Sequence, residues 1–173
     1  WAHDSLGMMY HYQQRYAEAV KHLEAACEIS PDDHRVWGRL GESYRLLEGG
    51  MPNARKAFSK ALALAANDAE IDPSDWITVG YMALYNGYLG NFAAADELLD
   101  RMFKLNAGND PMTHYWAGLV AYETGDIDKT FHELDLALAN GFSKEKHFIA
   151  DEPALGPLRA SQPERFQAML DRY

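Results

Sequence analysis

The sequence repeats itself at intervals of 34 or 35 residues. The pair Leu6-Gly7 recurs 34 residues later as Leu40-Gly41. Three apolar positions recur with a shift of 35 residues, and they are Ala19, Leu23 and Ala26 against Ala54, Phe58 and Ala61. A period of this length is typical of solenoids, in which each unit packs mainly against its neighbours. We therefore expect a row of similar structural units.

The second half of the chain carries the same repetition. The turn Gly90-Asn91-Phe92 matches Gly125-Asp126-Ile127 with a shift of 35 residues. The apolar positions that follow the two turns also match, and they are Ala95, Leu99 and Met102 against Thr130, Leu134 and Ala137. Two pairs of repeats thus align with each other across a short insertion.

Each unit has the spacing of a helix–turn–helix. Leu6, Gly7 and Tyr10 share one helical face, and a polar turn separates them from a second amphipathic stretch that begins at Tyr16. Pro31 cannot continue that second helix, and the aspartates after it can cap the next one. Small residues at equivalent positions of the first helices allow two helices to approach closely, and they are Gly7, Gly41, Ala83 and Gly118.

These units resemble the tetratricopeptide repeat, whose 34-residue pattern has a Trp, a Leu-Gly pair, a Tyr, then Ala, an aromatic residue, Ala and a closing Pro. The second unit shows this pattern through Trp37, Leu40-Gly41, Tyr44, Ala54, Phe58 and Ala61. The first unit has His3 at the Trp position, and the third and fourth units have Val79 and His114 there. The resemblance implies an all-α superhelix of about four repeats, at about 1–33, 34–68, 76–109 and 111–142, with an insertion near 69–75.

The last 31 residues, 143–173, are expected to close the array. A repeat array needs a terminal segment that covers its last apolar face. Pro163 can start a helix that places Phe166, Met169 and Leu170 on one side, so we expect a short helix, a Pro-rich linker and a capping helix. The ending resembles that of the C-terminal repeat regions of bacterial multidomain regulators, which include serine/threonine kinases, winged-helix regulators and nucleotide cyclases. It does so through Gly141-Phe142, Asp151 to Arg159 and Pro163 to Phe166.

In this family the first helices of successive repeats line a concave surface that binds a peptide or protein. The resemblance therefore implies a set of exposed site residues, and these are Met8, Tyr12, Arg35, Arg39, Glu42, Arg45, Tyr81, Leu84, Tyr88, Tyr115, Trp116, Leu119 and Tyr122. His11 belongs to the same row of positions. The surface would combine a basic patch from the second unit with an aromatic wall from the third and fourth.

Both parts of this surface have an alternative interpretation. The three arginines, Arg35, Arg39 and Arg45, suit an acidic peptide or a chain terminus, because guanidinium groups bind carboxylates bidentately. They equally suit a solvated helix face on which Glu42 or Glu48 neutralises them. The aromatic stripes are typical of binding hot spots, but they can also pack inside the protein's own superhelix.

Composition narrows the functional classes. The formal net charge of −10 disfavours nucleic acid and anionic lipid as partners. Cys27 is the only cysteine, and no metal-binding, nucleotide-binding or nucleophile motif occurs, so we expect no metal, no cofactor and no catalysis. No apolar run reaches the roughly 20 residues that span a bilayer. The sequence has no signal peptide, although it starts at Trp1 rather than Met, and we expect a soluble protein, cytoplasmic rather than periplasmic.

The sequence thus predicts a non-catalytic scaffold that binds a peptide or protein segment on its concave face within a bacterial regulatory protein. That segment would be acidic if the arginines form a carboxylate site. The alternative is a self-associating or spacer module of a larger signalling protein, because a fold does not by itself determine a function.

Overall fold

The computed structural model describes residues 2–107, 110–142 and 146–173. These residues form helices joined by short turns, and no β-strand occurs among them. The predicted all-α class is confirmed. The chain divides into two compact units, each longer than one of the repeats described above. They are Trp1–Asp72 (unit 1) and Pro73–Tyr173 (unit 2).

Unit 1 consists of two helical hairpins. Helix α1 (Ala2–Tyr12) packs against α2 (Tyr16–Ile29), and α3 (His34–Leu46) packs against α4 (Met51–Ile71). Helix α2 also packs against α3, which joins the two hairpins. Asp33 caps α3, because its carboxylate accepts a hydrogen bond of 2.9 Å from the backbone N–H of Arg35.

Close contact within each hairpin depends on a missing side chain. A Cβ atom at Gly7 would lie 2.5 Å from Leu23 Cγ, and one at Gly41 would lie 2.6 Å from Phe58 Cε1. Leu23 and Phe58 are both buried. The glycine of each Leu-Gly pair is therefore required by the large side chain of the second helix.

The insertion expected near 69–75 is helical over its first part. Helix α4 has 21 residues and continues to Ile71, with Ala69 buried along it. Alanine has the highest helix propensity, and the segment before Asp72 is rich in it, so the helix extends beyond the length of a repeat. Pro73 follows the last helical residues, where a helix cannot readily continue.

Unit 2 contains two further hairpins. Helix α5 (Trp76–Leu89) packs against α6 (Phe92–Asn106), and α7 (Pro111–Thr124) packs against α8 (Ile127–Ala139). Helices α5 and α7 are followed by Gly90 and Gly125, whose φ angles of 84° and 79° lie in the left-handed region that glycine adopts without strain. Three aspartate side chains cap helices here, and they are Asp75, Asp110 and Asp126.

The tail contains more helix than the sequence indicates. After α9 (His147–Ala150) come a 3₁₀ turn (Pro153–Leu155), α10 (Gly156–Ser161) and α11 (Pro163–Leu170). The stretch expected to be a Pro-rich linker is helical, because its prolines stand in first turns, where the missing N–H has no consequence. Helix α11 packs against α8. Residues 143–145, where the predicted tail begins, lie outside the described residues.

Candidate functional site

The first helices of unit 1, α1 and α3, lie side by side and run in the same direction. Asp4 accepts two hydrogen bonds from Nη1 of Arg39, at 2.7 and 2.6 Å. Further along both helices, His11 Nδ1 lies 3.0 Å from Ser43 Oγ. From the first contact to the second, the residue number rises along both helices, so the two helices are parallel.

This alignment brings two rows of side chains together. Residues four apart share a helical face, so Met8 and Tyr12 continue the row of Asp4, and Arg35 precedes Arg39 in the other. We call this surface the α1/α3 face, and it comprises Asp4, Met8, Tyr12, Arg35, Arg39 and Glu42. Tyr12 and Arg35 are exposed, whereas Met8, Arg39 and Glu42 are half-buried. The face thus offers a partner an aromatic ring, a thioether and charged groups within one surface.

The arginines of this face contact carboxylates of their own chain. Arg39 forms the ion pair with Asp4, and Arg35 contacts Asp33 at 3.0 Å. An acidic partner segment would have to replace or share these contacts, so the interpretation of the arginines as a carboxylate site stays a prediction.

His11 does not lie on the exposed surface, and the expectation that it does is wrong. Its side chain is buried between α1 and α3, with Tyr16 against its ring and Ser43 at its nitrogen. Burial, and secondarily the positive charge of Arg45, lowers the pKa of His11 to about 4. The imidazole is therefore neutral at physiological pH and serves as a polar contact within the core.

In unit 2, four residues that were expected to be exposed are buried. They are Leu84, Tyr88, Trp116 and Leu119. Trp116 shows the reason, because its indole fills the space above Gly80, where a Cβ atom would lie 2.2 Å from the ring. Tyr81 and Trp76 pack around the same indole, with centroids 4.9 and 6.1 Å away. The four buried side chains belong to the core of unit 2 and are not available to a partner.

The remaining aromatic residues of the predicted wall differ in their surroundings. Tyr115 donates a hydrogen bond of 2.5 Å to Glu152, and its ring packs against Phe142, so it holds the tail against α7. Tyr81 and Tyr122 are half-buried on the first helices of unit 2. Like Tyr115, they keep part of their surface exposed.

Comparison with known proteins finds one repeat at the start of the chain. Residues 1–43 match the family model described as tetratricopeptide repeat. This segment, which covers α1, α2 and most of α3, is thus similar to a tetratricopeptide repeat. It is similar to Superkiller protein 3 of Schizosaccharomyces pombe (strain 972 / ATCC 24843), with 30% identity over 107 residues, which are 62% of this chain and 7% of that protein. The chain therefore spans a small fraction of the length of this relative.

Two solved structures, titled "Crystal structure of MamA" and "Crystal structure of MamA protein", also show similarity. Each is 18% identical to this chain, with TM-scores of 0.44 and 0.45. The alignments cover 96% and 99% of this chain, and 91% and 84% of the respective MamA chains. Among the described residues, no helix has the length and apolar character needed to cross a bilayer.

Sequence reasoning missed one feature of unit 1, a cavity beside the second repeat. The consensus residues Trp37 and Tyr44 of the second repeat line a cavity of about 530 Å³ in unit 1. The hydroxyl of Tyr44 donates a hydrogen bond to Glu24, and burial together with this bond raises the pKa of Tyr44 to about 12. The sequence signal that points to this cavity is the spacing of Glu24 and Glu28, which lie one turn apart on α2.

Proposed function

We propose that the chain is a non-catalytic scaffold that binds an extended or helical segment of another protein on the α1/α3 face. The tetratricopeptide fold is in general a protein–protein interaction scaffold. The observation that carries the proposal for this face is the Asp4–Arg39 ion pair, which holds two first helices in a fixed register. A surface that is ordered before binding loses less entropy when a partner docks.

The chemistry of the face favours a partner that combines an apolar side chain with a carboxylate. Tyr12 and Met8 offer apolar contact, and tyrosine combines a large contact area with few rotatable bonds. Arg35 is the most accessible guanidinium of the face, with 55% of its side chain exposed. Its present contact, Asp33, also caps α3, so a partner carboxylate can share the guanidinium while Asp33 keeps its bond to the backbone. Arg45 is proposed as a further contact in unit 1, and Tyr81 and Tyr122 are proposed separately as contact residues of unit 2.

The sequence of the tail suggests the kind of protein to which the chain belongs. The segments around Gly141-Phe142, Asp151 and Pro163 support a place within a bacterial regulatory protein. The net charge of −10 supports a protein rather than a nucleic acid as partner.

The experiment compares retention of proteins from the source organism's lysate by three immobilised chains. The first is the unaltered protein, the second is the double variant Tyr12→Ala/Arg35→Ala, and the third is the matched control Tyr173→Ala/Arg55→Ala. Tyr173 and Tyr12 are each 40% exposed, and Arg55 is exposed on α4, so the two variants remove similar amounts of surface and the same charge.

A partner bound through the α1/α3 face should be retained by the unaltered chain and the control, and lost by the Tyr12/Arg35 variant. Titration of that partner, once purified, should show affinity reduced by at least about tenfold. Equal retention by all three chains would place binding elsewhere and refute the proposed site.

A second candidate function is self-association, and one observation favours it. Leu6 and Met9 on α1 are 38% and 44% exposed, which leaves an apolar edge on the first helix. If this edge joins two copies, sedimentation should show a dimer that the substitution Met9→Glu dissociates. A monomer at all concentrations would exclude this function.

A further inference from the structure

Unit 1 has a cavity on the side of α3 that faces away from the α1/α3 face. The nine residues that line it come from α2, α3 and α4, and they are Glu24, Cys27, Glu28, Trp37, Leu40, Tyr44, Asn53, Lys56 and Ala57. On α3, Trp37, Leu40 and Tyr44 lie about half a helical turn away from Arg35 and Arg39. We call this space the Trp37 cavity. Its volume of about 530 Å³ falls within the range of sites that bind small molecules or side chains.

The floor of the Trp37 cavity is apolar. Cys27, Leu40 and Ala57 are buried there and belong to the hydrophobic core of unit 1. Trp37 forms one wall, and its indole N–H donates a hydrogen bond of 2.9 Å to the carbonyl of Pro31, which fixes the plane of the ring. Tyr44, about two helical turns further along α3, forms a second part of the wall.

The rim of the Trp37 cavity is acidic. Glu24 and Glu28 are one turn apart on α2 and lie on the same side of that helix. The Tyr44 hydroxyl donates to Glu24 and thereby holds that carboxylate at the edge of the cavity. A carboxylate accepts several hydrogen bonds, so Glu24 retains acceptor capacity beyond this contact. Lys56 is the only cation among the lining residues.

We propose that the Trp37 cavity binds an arginine or lysine side chain of a partner protein. The aliphatic stem of such a side chain lies along the floor and the aromatic walls, and its cation contacts Glu24 and Glu28. Basic side chains combine an apolar stem with a charged end, and cations bind favourably over indole and phenol rings. A carboxylate or phosphate would meet two glutamates and be repelled. Arginine binds better than lysine, because its planar guanidinium stacks on rings and pairs with carboxylates bidentately.

This inference does not depend on the α1/α3 face, since the two sites share no residue. A partner segment that carries a basic side chain can therefore occupy the Trp37 cavity whether or not another segment binds the first helices.

The test is a titration of the full chain, labelled with ¹⁵N, with the peptide acetyl-Ala-Arg-Ala-amide. The matched probe replaces arginine by citrulline, which keeps the length and shape of the side chain but removes its charge. The signal is the indole N–H of Trp37, identified by its absence in Trp37→Phe. The arginine peptide should shift this signal with a dissociation constant of about 1 mM, and the citrulline peptide should bind at least about tenfold more weakly.

Three variants locate the binding. Glu24→Gln/Glu28→Gln should weaken binding by at least about tenfold, while the amide oxygen introduced at position 24 still accepts the bond from Tyr44. Glu70→Gln/Glu97→Gln removes the same charge from exposed positions outside the cavity and should leave the affinity unchanged. Lys56→Gln removes the competing cation and should strengthen binding.

The proposal is overturned if Trp37 does not respond, if citrulline binds as well as arginine, or if the two glutamine double variants weaken binding equally. Lys56→Gln keeps the test decisive should the Glu24/Glu28 variant fold poorly, because stronger binding supports the site and unchanged binding opposes it. Tyr12→Ala/Arg35→Ala should bind the peptide normally, which separates this outcome from that of the α1/α3 face.

Discussion

Contacts of single glycines set how closely the helices of each hairpin can pack. A Cβ atom at Gly41 would lie 2.6 Å from Phe58, whereas one at Gly118 would lie 3.0 Å from Leu134 Cδ2. Replacing either glycine by alanine gains about 1 kcal/mol of helix propensity. At Gly41 the steric overlap outweighs this gain, so we expect Gly41→Ala to lower the free energy of unfolding by about 1–3 kcal/mol.

Urea denaturation followed by circular dichroism measures this difference. Gly118→Ala is the matched control and should change the free energy of unfolding by less than about 1 kcal/mol, because Leu134 needs to move only slightly. A Gly41→Ala variant as stable as the unaltered protein would contradict the steric explanation.

His11 is expected to make the stability of unit 1 depend on pH. Its pKa is about 4 in the folded protein and 6.5 in the unfolded chain, so the unfolded state binds the proton more strongly. The contribution of His11 to the free energy of unfolding is therefore present above pH 6.5 and is lost as the pH falls from 6.5 toward 4. Between neutral pH and about pH 5 we expect a loss of about 2 kcal/mol from this residue.

The measurement is urea denaturation of the protein and of His11→Gln at both pH values. The variant is less stable at neutral pH, but it should lose less stability on acidification. His132→Gln, at an exposed position on α8, should keep the pH dependence of the unaltered protein. If all three proteins lose the same free energy of unfolding between the two pH values, His11 does not cause the pH dependence.

At the scale of elements, helix α11 closes unit 2 by covering α8. Phe166 of α11 is buried with its ring centroid 6.2 Å from that of Phe131, and Arg165 lies over the same Phe131 ring at 4.1 Å. Because Phe166→Ala would open a cavity at this contact, we expect it to destabilise unit 2 by about 3–5 kcal/mol.

Thermal unfolding and limited proteolysis would detect this loss, with cleavage appearing first in the tail. Gln167 is the neighbouring exposed residue, and Gln167→Ala should leave stability nearly unchanged. Resistance of the Phe166→Ala chain equal to that of the Gln167→Ala chain would exclude a capping role for α11.

Helices and their ends follow from local sequence, whereas contacts between helices do not. The aspartate caps and the glycine after α5 have local causes, so they could be predicted. The Asp4–Arg39 pair and the burial of His11 depend on how α1 lies against α3, which no spacing within one helix specifies. Trp116 illustrates the same limit, since a helical stripe of aromatic residues has the same period whether it faces a partner or Gly80.

At the scale of the whole molecule, each unit has its own buried core, which predicts that damage to one remains local. Leu23 is fully buried in unit 1, and Leu23→Ala should cost about 2–5 kcal/mol. Hydrogen exchange measured by mass spectrometry should then show faster exchange in α1 to α4 and little change in α5 to α8. Equal acceleration throughout the chain would mean that the two units unfold as one cooperative body.

Cys27 adds a practical consequence. It is the only cysteine of the sequence, it is buried in unit 1, and burial raises the pKa of its thiol to about 12. The thiol is neutral at physiological pH and lines the Trp37 cavity, so an alkylating reagent reaches it by entering that cavity or after the surrounding helices separate. The rate of alkylation in the native protein thus reports on access to Cys27 in unit 1 alone, whereas tryptophan fluorescence combines signals from tryptophans in both units.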